Sequence, residues 1–441
     1  MSISKPFTVF GPGLGGPSEN YRIPSMVVTK SGVVVACADA RYFTGQDNPN
    51  RIDKVIRRST DSGETWQEFI LAVEEHGTSK ETSSAAIDPC MVYVEEINRI
   101  YMLYCSTPSG VGILNCECST GEDKEGNLIV LGRNGKDKYV LKNGFLYKNS
   151  NEKTEYAVDE KGNVSKNGEF ICNIHIGEEF KIINTAWLMI CHSDDEGLTW
   201  SKPVSLNLGI KKKFMSFIGP GPGVGIVIKQ GKYKGRIVCP IYYGTHKKLL
   251  TLSCTCIYSD DMGKTWHMGK SPNMTRKIGP FKANHMWTFE PFMLTESQLI
   301  EQKDGVLKYF MRNHSSKRSV AVAYSYNGGE SWENFRHDEN LPQCICQMSV
   351  IALQNMDKPY VVFLNPASKK ARENGVVRLS EDGGETFKYS RQIKEGPFVY
   401  STLAQLPDGT IGAMYEPDLE CRQIDFCLLY TSPSPRDISG S

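Results

Sequence analysis

Short β-rich runs bounded by turn residues recur along the chain, among them Cys254-Thr255-Cys256-Ile257-Tyr258 and Val320-Ala321-Val322-Ala323-Tyr324. Such runs predict strands, and the turns beside them repeat. Ser59-Thr60-Asp61-Ser62-Gly63-Glu64-Thr65-Trp66 is matched by Ser193-Asp194-Asp195-Glu196-Gly197-Leu198-Thr199-Trp200 and by Ser259-Asp260-Asp261-Met262-Gly263-Lys264-Thr265-Trp266. Looser copies start at Ser325 and Ser380 and end on Trp332 and Phe387. The pattern S-x-D-x-G-x-T-W describes a hairpin turn. Its Ser and Asp can bond nearby backbone N–H groups, its Gly supplies a positive φ, and its aromatic ring is expected to bury beneath the turn. Asp61, Asp195, Asp261 and Asp382 therefore read as turn residues and not as catalysts.

A β unit repeated with one turn motif each is the sequence signature of propeller blades. The motifs start at 59, 193, 259, 325 and 380, so the later gaps are 66, 66 and 55 while the first is 134. The excess covers roughly 110–182, where polar, turn-rich stretches (121–127, 149–153) alternate with short strand-like runs such as Tyr139-Val140-Leu141 and Phe170-Ile171-Cys172. The expectation is an all-β, six-bladed β-propeller in two segments, 1–109 and 183–430, with its last blade built from both chain ends. Residues 110–182 would form a small β-rich insertion. Closure would remove the edges of an open sheet. The Ser/Pro/Gly-rich stretch 431–441 reads as an unstructured tail, possibly derived from cloning.

Charge and composition exclude more than they assign. Lys+Arg 51 against Asp+Glu 50 gives a net charge of +1, which suggests neither a nucleic-acid nor a membrane partner. Any anion site must then be a local basic cluster. No apolar run reaches the ~18 residues of a membrane span, and the first ten residues show no signal-peptide pattern. The 14 Cys lie in strand-like text, with Cys254/Cys256 and Cys344/Cys346 two apart on one strand face. Such neighbours bridge poorly, so free thiols are expected, pointing to a cytoplasmic protein or one secreted by an anaerobe with its leader missing. No CxxC or HExxH occurs; neither metal nor cofactor is expected. Gly11-Pro12-Gly13-Leu14-Gly15-Gly16 matches a dinucleotide fingerprint by letter only, with no strand expected before it and no helix after. Lys211-Lys212-Lys213 is expected to be a solvated loop.

The turn motif, known as the Asp box, also occurs in propellers that only bind, so function must come from other residues. Tyr21-Arg22-Ile23-Pro24 resembles the F/Y-R-I-P motif of sialidases, and Asp39-Ala40-Arg41 resembles their D-x-R element. Asp47 stands 25 residues after Arg22, where bacterial sialidases place the acid/base aspartate. Gly219-Pro220-Gly221 with Gly235-Arg236-Ile237-Val238-Cys239-Pro240, then Thr295-Glu296-Ser297-Gln298, Met311-Arg312-Asn313, Arg372-Glu373-Asn374-Gly375, Tyr400-Ser401-Thr402-Leu403 and Tyr415-Glu416 follow in the family order. Over roughly 15–420 the chain resembles the bacterial-type sialidase (neuraminidase) family, in its larger form with an insertion.

The resemblance implies an exo-α-sialidase acting on sialylated oligosaccharides, glycoproteins and glycolipids, as a monomer. Arg22, Arg312 and Arg372 would hold the carboxylate of sialic acid, because guanidinium forks match a carboxylate bidentately. An Asp or Glu nucleophile would meet that anion with like charge, a repulsion of roughly 4 kcal/mol at ~4 Å and an effective dielectric near 20. A neutral tyrosine avoids it, and sialidases are an established exception to the two-carboxylate scheme. Tyr400 would be the nucleophile, Glu296 its base, and Asp47 the acid that protonates the leaving oxygen. Arg41 would bind substrate or brace the Asp47 loop, and Glu416 would orient Arg22. Arg378 competes with Arg372 for the third arginine. A trans-sialidase, between or within molecules, would carry the same residues. A non-catalytic glycan-binding propeller, the less favoured alternative, predicts scattered losses among Asp47, Glu296 and Tyr400, and all three are present.

Overall fold

The computed structural model describes residues 2–430, except 150, 247, 248, 275, 279 and 280. The stretch 431–441 lies outside the described residues. The chain is all-β and its sheets form a propeller-like ring. Four of them are separate antiparallel meanders, beginning at Ile218–Pro220, Leu294–Glu301, Ser349–Ala352 and Ser401–Gln405. A nine-stranded sheet carries Tyr21–Val28, Val34–Arg41, Ile52–Ser59, Ala85–Val94 and Arg99–Thr107, its two runs meeting at a parallel pair, Ile52↔Ala85.

Strands from successive parts of the ring pack side by side. Tyr21–Val28 lies between Ala85–Val94 and Ser401–Gln405, while Leu294–Glu301 touches Ile237–His246 and Ser349–Ala352. Both chain ends share one sheet: Ser2↔Tyr430 and Phe7↔Phe426 pair with the last strand, Ile424–Tyr430. Apolar faces of adjacent sheets interlock between them, as Val238, Cys254 and Cys256 do with Leu299, Leu307 and Met311.

The repeated turns are built as their sequence requires, with one addition. Gly63 N–H donates to Ser59 Oγ (2.8 Å) and Thr65 N–H to Asp61 Oδ1 (2.9 Å), and the same bonds recur at Ser193, Ser259 and Ser380. Gly63 has φ 87°, but the residue before it is left-handed too: Ser62, Glu196 and Met262 lie at 59°, 58° and 58°. Two successive positive φ values match the right-handed twist of a hairpin. The aromatic residue is fully covered only at Trp266 and Trp332; Trp66, Trp200 and Phe387 are half-buried.

A seven-stranded antiparallel sheet spans Ile129–Gly132 to Phe180–Ile182, with its own core of Val130, Leu146, Val164 and Phe180. All 14 cysteines are free. Cys254 and Cys256 are buried on one strand as expected, but Cys344 and Cys346 sit in the loop after Glu333–Pro342. A strand, Phe7–Phe10, does precede Gly11, although no helix follows it. The lysine run also divides. Lys212 and Lys213 are exposed, whereas Lys211 is buried and donates to Thr185 Oγ1, Ala186 O and Ser216 O, burial pulling its pKa down to about 8. No helix among the described residues is long and apolar enough to cross a membrane.

Candidate active site

The motif residues meet where the first strands of the sheets begin. Tyr400 leads into Ser401–Gln405, Glu296 lies on Leu294–Glu301, and Arg312 on the neighbouring Leu307–Asn313. The Tyr400 hydroxyl donates to Glu296 Oε1. Arg312 Nη1 bridges both, 2.5 Å from Glu296 Oε2 and 2.9 Å from the tyrosine oxygen. Arg22 and Arg372 flank the same ring, their guanidinium carbons 5.2 and 5.6 Å from its centroid. Burial and the charge of Glu296 hold the Tyr400 phenol well above its ordinary pKa, against the opposite pull of Arg312 and Arg372. At neutral pH it is a neutral hydroxyl bonded to Glu296.

Arg22 is fixed from behind. Its Nε and Nη2 donate to Glu416 Oε1 and Oε2, each at 3.2 Å, and the fully buried Glu416 also accepts from the N–H groups of Ile23 (2.7 Å) and Tyr400 (3.3 Å). The motif isoleucine explains this geometry. Ile23 is left-handed at φ 57°, unusual for a β-branched residue, and the strand register shifts between Arg22 and Ser25. That bulge turns both the Ile23 N–H and the Arg22 side chain towards one carboxylate. Strain of this kind costs about 1–3 kcal/mol and persists only when its surroundings impose it.

Asp47 stands across from this group with its side chain 67% exposed. Its Oδ1 lies 3.6 Å from Arg22 Nη1 and accepts a hydrogen bond from Arg41 Nη1 at 2.7 Å. Partial desolvation by the groups around it opposes its charge, but Arg41 and Arg22 outweigh that and hold its carboxyl below the usual range. Arg41 is completely buried and also bonds Gly45 O and Asp39, so in this structure it braces the Asp47 loop. Arg378 is buried and donates to Asn365 Oδ1 (2.9 Å), away from Tyr400, whereas Arg372 sits beside it.

The glycine-proline stretch has a packing role. A Cβ on Gly221 would lie 2.6 Å from Ser297 O, the residue after Glu296. Gln298 then donates to Pro222 O and accepts from Val224 N–H, locking the loop to the Glu296 strand. Arg236 of the same motif pairs with Asp260 and Glu330 and serves the turns. Sequence reasoning missed Asp88, which is left-handed (φ 64°), buried and bonded by the Tyr242 hydroxyl at 3.2 Å. Burial, with Asp39, Glu296 and Asp47 nearby, raises its pKa well above the ordinary value. Its Ile87-Asp88-Pro89 context parallels Arg22-Ile23-Pro24, the one signal that could have found it. Among the described residues no three His, Cys, Asp or Glu side chains group as a metal site.

Residues 164–413 match the model of the BNR repeat-like domain. The anhydrosialidase of Macrobdella decora is 27% identical over 90% of this chain and 58% of its own length. The sialidase of Bacteroides fragilis is 25% identical over 90% of this chain and 60% of its own. This chain thus spans less than two thirds of both. The intramolecular trans-sialidase of Ruminococcus gnavus, solved with oseltamivir carboxylate, superposes with a TM-score of 0.81 at 25% identity, covering 96% of this chain and 97% of that one. The chain belongs to the BNR repeat-like family. Sialidases of bacteria are among its relatives.

Proposed function

We propose that this chain is an exo-α-sialidase that releases terminal sialic acid with retention through a covalent intermediate on Tyr400. The observation that carries this reading is the bonded group Tyr400–Glu296–Arg312 with Arg22 and Arg372 on either side. Three guanidinium groups around one tyrosine make a seat for a carboxylate attached to the reacting carbon. The bound sugar anion would compensate part of their charge. Tyr400 attacks the anomeric carbon as its proton passes to Glu296, and Asp47 protonates the departing oxygen. In the second step Asp47 takes a proton from water, which displaces the tyrosine as Glu296 returns its proton to the phenol oxygen. Substrate binding also helps Asp47, since the arginines that lower its pKa now face an anion. The acid is thereby more readily protonated in the complex than in the free enzyme.

In the same reading the nine-stranded sheet is two blades joined edge to edge, giving six, and 110–182 is an insertion on the rim. Sialylated oligosaccharides, glycoproteins and glycolipids are the substrates. A second reading, transfer within the substrate, is favoured by the likeness to the R. gnavus and leech proteins. Product analysis by NMR after digestion of sialyllactose separates them. Free sialic acid released first as the α-anomer supports retaining hydrolysis, whereas an anhydro sugar supports intramolecular transfer. No sialic acid product of any kind would refute both.

A further inference from the structure

We propose that Lys54 is a positioning residue for the acid Asp47, acting through a buried relay of alternating charge, Lys54–Asp39–Arg41–Asp47. This rests on the reading of Asp47 as the acid. Lys54 lies opposite Asp39 on adjacent strands, and both are 0% exposed. Its ammonium donates to Asp39 Oδ1 and to Ala86 O at 2.7 Å, beside the junction where Ile52 pairs with Ala85. The ring of Tyr104 lies 5.9 Å away. The other oxygen of Asp39 takes Arg41 Nη2 at 3.0 Å, and Arg41 Nη1 reaches out to Asp47 Oδ1 and Gly45 O. Asn48 is pinned separately, its amide donating to Thr107 Oγ1 (2.8 Å) and Val111 O (2.6 Å).

A lysine ammonium taken wholly out of water is expensive unless every donor is answered, and an apolar side chain of equal length would avoid that expense. What Lys54 does that an apolar chain cannot is occupy one oxygen of Asp39. Arg41 Nε is buried with no hydrogen-bond partner among the described residues. If Asp39 Oδ1 were vacated, the guanidinium could satisfy Nε and form the favoured two-point fork by turning onto Asp39. Nη1 would then swing away from Asp47 and Gly45, and the acid would lose its orienting contact. Lys54 thus keeps Arg41 divided between a buried and an exposed carboxylate.

The test compares kcat and KM on 3'-sialyllactose, whose leaving alkoxide needs an acid, with those on an aryl sialoside, whose phenolate does not. For Lys54→Met the expected result is a loss in kcat of roughly 10–100-fold on sialyllactose, within the range of general-acid assistance, with less than about threefold loss on the aryl substrate and KM little changed. Lys54→Met/Asp39→Asn removes the competing carboxylate and should recover part of the loss. It also carries the test if the single variant does not fold. Equal losses on both substrates, no loss on sialyllactose, or no recovery in the double variant would overturn the relay. Asp47→Ala is run alongside: if it too loses both activities equally, the acid assignment fails and the relay falls with it.

Discussion

Replacing Glu416 by Gln tests the scaffold of the site with almost no change in shape. In the structure each Glu416 oxygen accepts two bonds: Oε1 from Arg22 Nε and Ile23 N–H, Oε2 from Arg22 Nη2 and Tyr400 N–H. A glutamine keeps one of these oxygens. Whichever way its amide is turned, its NH2 faces two donors, one on Arg22 and one on the backbone, and the charge opposite a buried guanidinium is gone. Removing one partner of a buried ion pair costs about 3–5 kcal/mol. An unfolding entropy of ~2.1 cal/mol/K per residue gives about 0.9 kcal/mol/K for a chain of this size, so Glu416→Gln should lower Tm by roughly 3–6 °C. Calorimetric unfolding without ligand measures it. Affinity for a sialic-acid analogue is the poorer readout, because a freed Arg22 loses orientation while the site gains net positive charge. A Tm drop below about 1 °C would refute the claim that this carboxylate holds Arg22 and the Tyr400 segment together.

A fluorinated sialosyl fluoride that traps the covalent intermediate should label the peptide containing Tyr400, checked by mass spectrometry; labelling elsewhere removes Tyr400 as nucleophile. Arg372→Ala should weaken binding of a sialic-acid analogue at least tenfold, measured by titration calorimetry, whereas Arg378→Ala, whose partner is Asn365, should alter stability more than binding. Burial lowers the pKa of His175 and His337 to about 4 and of His314 to about 3, from 6.5. A base with a depressed folded pKa stabilises fully above its unfolded value, so Tm should fall as pH drops from 6.5 towards 4. Glu75 is the opposite case: burial raises it to about 7, and its contribution is complete below 4.5 and lost as pH rises through 7. Glu75→Gln should therefore raise Tm at pH 8 and leave it little changed at pH 5.

The parts of this molecule that were legible in the sequence are those whose physics is local. The Ser-x-Asp-x-Gly turns satisfy their own backbone within five residues, so each copy announces a hairpin. Arg22, Glu296 and Tyr400 were singled out because each sits in a short motif, and the strained Ile23 gives that motif a structural reason. Lys54 and Asp88 stayed hidden because their partners lie across strands, at separations set by register and not by spacing. Lys211 was misread for the same reason. A lysine run looks solvated until one member finds Thr185, Ala186 and Ser216 in the interior.

The pairing of Arg22 with Glu416 joins residues 394 positions apart. Translation at roughly 5–20 residues per second separates their synthesis by about 20–80 s. Through that interval the arginine exists without its counter-ion, and the strand carrying it lacks the neighbour, Ser401–Gln405, that later packs against it. On the sialidase reading, catalytic competence therefore cannot accumulate gradually as sheets emerge from the ribosome. It arrives in one step, when the last sheet docks against the first. A polypeptide halted before Ile424 would hold nearly all the chemistry named above and lack the strand to which Phe7–Phe10 pairs. The expected output of a truncated message is a silent chain that chaperones or proteases must handle, and not an enzyme of reduced rate.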